Sequence, residues 1–144
     1  MFIPFSQRRP SFQDRCAHYG GAILRLVKEC PAGRTKTIVA EQLSKSATSI
    51  GANASEARSA ESRADFIHKM QIALKEARES FYWLQVLEGS GEMDSAAISP
   101  WLTECDELIA IMVASVQTAK RNREEKVERY EKQERERERE RERE

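Results

Sequence analysis

The fold class this sequence predicts is all-α: an up-and-down four-helix bundle with an extended N-terminal arm and a charged C-terminal helix extension. Three observations predict it. Apolar residues recur at steps of three and four in four separate stretches, the spacing that lines one face of a helix. Helix-breaking or polar segments part those stretches: Pro31 to Gly33, Arg58 to Glu61 and Gly89 to Ser95. Such short links make consecutive helices antiparallel neighbours.

Residues 1–10, MFIPFSQRRP, hold two prolines and an Arg pair between apolar residues. Proline lacks the amide donor a helix needs, so this stretch reads as an extended arm. Its Phe2, Ile3 and Phe5 are candidates for docking on a neighbour. The bundle proper is expected over residues 11–125, and a Glu/Arg-rich, fraying or disordered tail over 126–144.

The first helix is expected from about Ser11 to Cys30. Its stripe is Phe12, Cys16, Tyr19, Ile23, Val27 and Cys30, with Leu24 beside it. Gly20 and Gly21 fall mid-helix, where the pair costs roughly 2 kcal/mol against alanine. Close approach of another helix explains them. The second helix runs from near Thr35 to near Ala57, interrupted by Gly51. It carries two parallel lines: an apolar one (Leu43, Ala47, Ile50, Ala54, Ala57) and a polar one a residue back (Gln42, Ser46, Ser49, Asn53, Glu56). A small-residue stripe beside a polar stripe describes a helix that packs closely on one side. Its other side faces a wet seam or a partner's polar groups.

Ser62 and Asp65 form a box-like cap for the third helix. Its core stripe reads Phe66, Met70, Ala73, Ala77, Phe81, Leu84 and Leu87. Phe81, Tyr82 and Trp83 are consecutive, so they fan out by about 100° each and cannot share a face. Some aromatic surface therefore lies off the core, as interfaces require. Tyr82 and Trp83 are the interface candidates. Ser99-Pro100 is expected to open the fourth helix, with Pro in the first turn. Trp101, Cys105, Leu108, Met112, Val116 and Ala119 then form the inner stripe. Beyond about Arg123 the apolar period ends, and a Glu-Arg alternation follows as a solvated continuation.

A length of 144 residues corresponds to one domain. The chain carries 24 basic and 24 acidic residues; eight of the acids and seven of the bases lie from Glu128 onward, leaving 17 bases and 16 acids in the body. That balance lacks the basic excess usual in nucleic-acid binders, though it allows a local patch. Cys16, Cys30 and Cys105 are expected to be buried and reduced; with only His18 and His68 beside them, no metal site is expected. No cofactor is implied. The longest apolar run, Leu108 to Ala114, falls far short of the about 20 residues that cross a bilayer. The expectation is a cytoplasmic protein with no membrane partner.

The segments QLSKSATSIGANASEA and SRADFIHKMQIALKEARES resemble the signature of the 23S rRNA intervening-sequence protein family, also called four helix bundle proteins. Gln42, Leu43, Ser49, Ile50, Asn53, Glu56, Asp65, Phe66, Ile72, Ala73 and Glu79 stand at matching positions. The likeness covers roughly residues 12 to 125. Ala54-Ser55 replaces the family's usual Ile-Ala, and Ala57 replaces its Gly; these departures bear on where the second helix ends. The resemblance implies an up-and-down bundle assembling as a ring-like homopentamer. It also implies kinship with the accessory protein of diversity-generating retroelements.

No phosphate loop, metalloprotease motif or nucleophile elbow occurs. A lone carboxylate such as Glu56, with no base beside it, is a weak case for chemistry. The sequence therefore reads as no enzyme. Two functions stay open. One is a non-catalytic, homo-oligomeric assembly module, ring-shaped and pentameric by the resemblance, that scaffolds a partner. The other is a nucleic-acid-binding accessory protein acting with a ribonucleoprotein or reverse transcriptase. Its phosphate contacts would be Arg8, Arg9, Arg34, Lys36, Lys45, Arg58 and Arg63. Because Arg34 and Arg58 sit at opposite ends of the second helix, about 30 Å apart, they imply two small patches.

Overall fold

The computed structural model describes residues 10–143, so the first nine residues, with Arg8, Arg9 and most of the expected arm, lie outside the described residues. Four helices follow one another: α1 (Phe12–Glu29), α2 (Arg34–Arg58), α3 (Arg63–Ser90) and α4 (Ser95–Arg141). No strand occurs among the described residues. Each helix packs on the next, and α4 closes the cycle against α1 with the least contact. This is an up-and-down four-helix bundle.

Local chemistry sets most boundaries. Ser11 accepts from the Asp14 amide, and Asp14 accepts from the Ser11 amide at 2.9 Å, a capping box that opens α1. Ser62 opens α3 by accepting from the Asp65 amide. Gly91 closes α3 in the left-handed conformation (φ 72°), which glycine adopts without strain.

The start of α4 departs from expectation. Asp94, not Ser99, is the cap: its carboxylate accepts from the Ala96 amide, and the helix begins at Ser95. Pro100 consequently lies inside the helix. Its missing amide deprives only the Ala96 carbonyl of a helical partner, and Ala96 is exposed, so water can supply the bond. The earlier start puts Ile98 on the core line, fully buried, while Trp101 is half-buried and leans on His18 and Tyr19 at ring separations of 6.0 and 6.5 Å.

The α2 core stripe lies as expected: Leu43, Ala47, Ile50, Ala54 and Ala57 are all buried. On α3 the buried face is rotated. Ile67 and Leu74 are buried, whereas Phe66 and Phe81 lie half-buried at its edge. A bundle helix packs on two neighbours, so two adjacent lines of α3 are covered, not one.

Gly20 and Gly51 mark the close approach of α1 and α2. A methyl group on Gly20 would sit 3.5 Å from the Ala47 carbonyl oxygen, and one on Gly51 would sit 3.4 Å from Cys16 Cβ. Gly21 has no such role; a methyl there meets only Arg25 Nη1, at 3.7 Å. Gly21→Ala should therefore stabilise the protein by about 0.5–1 kcal/mol through helix propensity. Urea denaturation measures it, and a loss of stability would place Gly21 in a packed contact.

Inside, Tyr19 on α1 and Ser80 on α3 share a hydrogen bond of 2.6 Å, and Cys105 on α4 donates to the Ala77 carbonyl at 3.3 Å. At the α1/α4 edge, Arg15 donates to both Glu104 oxygens and to Glu107. These pairs fix the vertical register. Tyr19 beside Ser80 sets Phe12 level with Ala73, so α1 begins about 15 Å above the first residue of α3. Past Ala119, α4 leaves the bundle, and every described residue from Lys120 onward is exposed.

Candidate functional site

The polar stripe of α2 satisfies itself. Ser46, fully buried, donates to the carbonyls of Gln42 (2.9 Å) and Leu43 (3.2 Å). Ser49 donates to the Lys45 carbonyl at 2.7 Å, and Asn53 Nδ2 to the Ser49 carbonyl at 2.9 Å. Gln42 is exposed and Asn53 half-buried. Only Glu56 reaches another helix: its carboxylate pairs with Lys69 Nζ of α3 at 2.7 Å. The Glu56 side chain is 58% exposed within one chain. A carboxylate at the rim of the α2/α3 seam keeps its hydration, where a buried one would lose it.

This changes what Asn53 does within one chain. The Ser49 carbonyl it bonds belongs to its own helix, and helix carbonyls at i−4 already accept a backbone amide. Asn53→Ala should shift the stability of the unassembled chain by less than about 0.5 kcal/mol, since no donor or acceptor is stranded. Thermal melts at low protein concentration read this. A loss above about 1 kcal/mol would reveal a partner for Asn53 beyond its own helix.

The aromatic pair is placed as an outer feature. Tyr82 is 56% exposed, and its ring meets Trp83 edge-on at 5.1 Å. Trp83 is half-buried, yet its Nε1 is shut off from solvent and has no acceptor among the described residues. Buried indole N–H groups ordinarily find a partner. Leu24 and Ile38 add further exposed apolar side chains on α1 and α2.

The basic candidates fall at two ends. Arg34 and Lys36 stand at the start of α2, Lys36 reaching the Lys28 carbonyl at 3.5 Å, while Lys45 lies exposed midway. Arg58 and Arg63 flank the α2/α3 link. Sequence reasoning missed their company. Arg63 and Asn122 line one groove of about 630 Å³, which brings Lys120, Arg121 and Arg123 to the same end of the bundle. The signal was present in the run KRNR, but the end of an apolar period disguised it as helix fraying.

No group of three or more His, Cys, Asp or Glu side chains among the described residues is arranged to hold a metal ion. All three cysteines are free and buried. Burial pushes the Cys16 thiol up to about 12 and the Cys105 thiol up to about 11. Thiolate is the reactive form, so at pH 8 about one Cys105 in a thousand would be competent even if reached. A chromogenic disulfide reagent should leave Cys16 and Cys105 unmodified in the folded protein and label them in denaturant. Rapid native labelling at either would contradict their placement in the core. Burial also raises the Glu76 carboxyl, aided by Glu79 and opposed by Lys75 and Lys45.

The geometry thus defines a class: an all-helical bundle with a packed core and an outer aromatic pair. Its family follows from comparison. The chain belongs to the 23S rRNA-intervening sequence protein family, whose sequence model matches residues 14–114. It is also similar to a crystal structure of a protein with unknown function from the S23 ribosomal protein family of Bacteroides thetaiotaomicron VPI-5482. The two share 32% identity and superpose with a TM-score of 0.66, over 74% of this chain and 98% of that one. Among curated proteins, none matches. Among the described residues, no helix is long and apolar enough to cross a membrane.

Proposed function

We propose that this protein is a non-catalytic assembly module, a helical bundle that associates with copies of itself and presents the resulting surface to a partner. The observation that carries this reading is Tyr82, a large ring left 56% exposed against the edge of the half-buried Trp83. An interface that covers Tyr82 takes this ring out of water. A ring of five copies is the form the family resemblance implies. The test is a mass measurement by native mass spectrometry and light scattering, at micromolar protein. A closed oligomer is expected; a monomer removes the proposal.

A second reading rests on the cationic side chains at one end. Arg58, Arg63, Lys120, Arg121 and Arg123 stand about the foot of the bundle among Glu61, Asp65, Glu124 and Glu125, and repetition of the foot around an oligomer would multiply the phosphate contacts these bases could make. It would then serve as a nucleic-acid-binding accessory to a ribonucleoprotein or reverse transcriptase. Repeating the mass measurement with RNA at several salt concentrations separates the readings. Phosphate contacts make affinity fall steeply with salt. No RNA-bound mass at low salt would leave assembly alone standing.

A further inference from the structure

Helix α4 outruns the bundle it closes. The Cys105–Ala77 bond aligns it with α3, which runs the other way and begins at Arg63, so Arg63 comes level with Ala119. Below that level α4 continues from Lys120 to Arg141 with every residue exposed. Its buried line of Met112, Val116 and Ala119 leads on by steps of four to Arg123 and Val127. Val127 is 51% exposed and Tyr130 64%. This stretch gains little from itself. Helices in proteins draw most of their stability from a packed face, and the Glu-Arg alternation after Gln133 sets like charges four residues apart.

We propose that this extension pairs with the same extension of a second copy, antiparallel, about a twofold axis at Val127. The order of its charges names the occupant. Lys120, Arg123, Val127, Glu131 and Glu134 follow at steps of three, four, four and three, and so share one face. The steps read the same from either end, whereas the charges reverse: two bases, a valine, two acids. Turned end for end, a second copy sets Val127 on Val127, Arg123 beside Glu131 and Lys120 beside Glu134, each ion pair occurring twice. Such a self-complementary patch is what a twofold contact requires. Parallel pairing in register would instead oppose base to base and acid to acid. Tyr130 borders the same face, three residues past Val127. In this alignment Arg135 of the second copy comes level with Ala119. From there its last residues carry no apolar side chain, so they bend aside from the foot without uncovering a core. Exposed ion pairs are individually weak, so the contact is modest and weakens with salt. It lies beyond the foot, whereas Tyr82 and Trp83 sit toward the other end of α3, and it forms whether or not that face associates.

The test uses the full chain with Val127→Cys, which puts two thiols at the axis; the native cysteines are buried. Mild oxidation should link two copies, read as a doubled mass in denaturant. Adding Lys120→Glu and Arg123→Glu should cut the linked fraction about tenfold or more, since acids then face acids across the seam. Adding Glu131→Lys and Glu134→Lys instead should cut it as far. Expressed together, those two altered chains should link again, as pairs holding one chain of each kind. For direction, a Lys120→Cys chain expressed with a Glu134→Cys chain should give the mixed pair and little of either linked to itself. No link through Val127→Cys, parent-like linking by both charge-altered chains, no recovery in their mixture, or Lys120→Cys linked chiefly to itself would each overturn the proposal.

Discussion

Tyr19→Ala is expected to cost about 4 kcal/mol or more, against total stabilities of about 5–15 kcal/mol for domains. Tyr19 is fully buried where three helices meet. Its hydroxyl bonds Ser80 of α3 at 2.6 Å, and its ring lies 6.5 Å from Trp101 of α4. Burial, then the neighbouring Cys105, hold the phenol above the ordinary tyrosine range. Removing the ring leaves a cavity in a core that cannot collapse, because Gly20 already brings α1 and α2 together. It also removes the hydroxyl that Ser80 bonds. Tyr19→Phe isolates the second effect and should cost only about 1 kcal/mol, as the Ser80 hydroxyl can turn to the carbonyl four residues back in its own helix. Urea unfolding at one fixed protein concentration compares the pair. Equal losses for both would mean the hydrogen bond, not the packed ring, is the centre of the core.

The bundle was legible because local period and capping agree over most of its length. The α2 stripe is wholly buried, and Ser11 and Ser62 cap where they stand in the sequence. The misreadings share a cause. Whether Phe66 or Ile67 faces inward, and whether Ile98 belongs to the core, depends on how two neighbours flank a helix, which a single period does not encode. The polar stripe of α2 was ambiguous for another reason. Ser and Asn at helical spacing serve equally as bonds across a seam and as bonds to their own helix, and here Ser46, Ser49 and Asn53 take the second course. The groove was invisible, since it follows from the vertical offset of α1. That offset is fixed by the Tyr19–Ser80 and Arg15–Glu104 pairs, which lie 61 and 89 residues apart in sequence.

Trp83→Glu should convert the proposed oligomer to smaller species, the largest effect expected of any surface substitution here. Trp83 lies at the edge of the core, so a carboxylate there is tolerated by one chain that can turn it to water. In a packed contact the same charge would be desolvated without a partner, a loss of several kcal/mol at each interface. Trp83→Phe asks a finer question. It keeps an apolar ring beside Tyr82 and removes only the N–H that lacks an acceptor. That N–H is enclosed within its own chain, out of a neighbour's reach, so Trp83→Phe should assemble like the parent while Trp83→Glu fails. Dilution series followed by light scattering compare the two variants. Retention of full assembly by Trp83→Glu would show that the Tyr82–Trp83 face is not the contact.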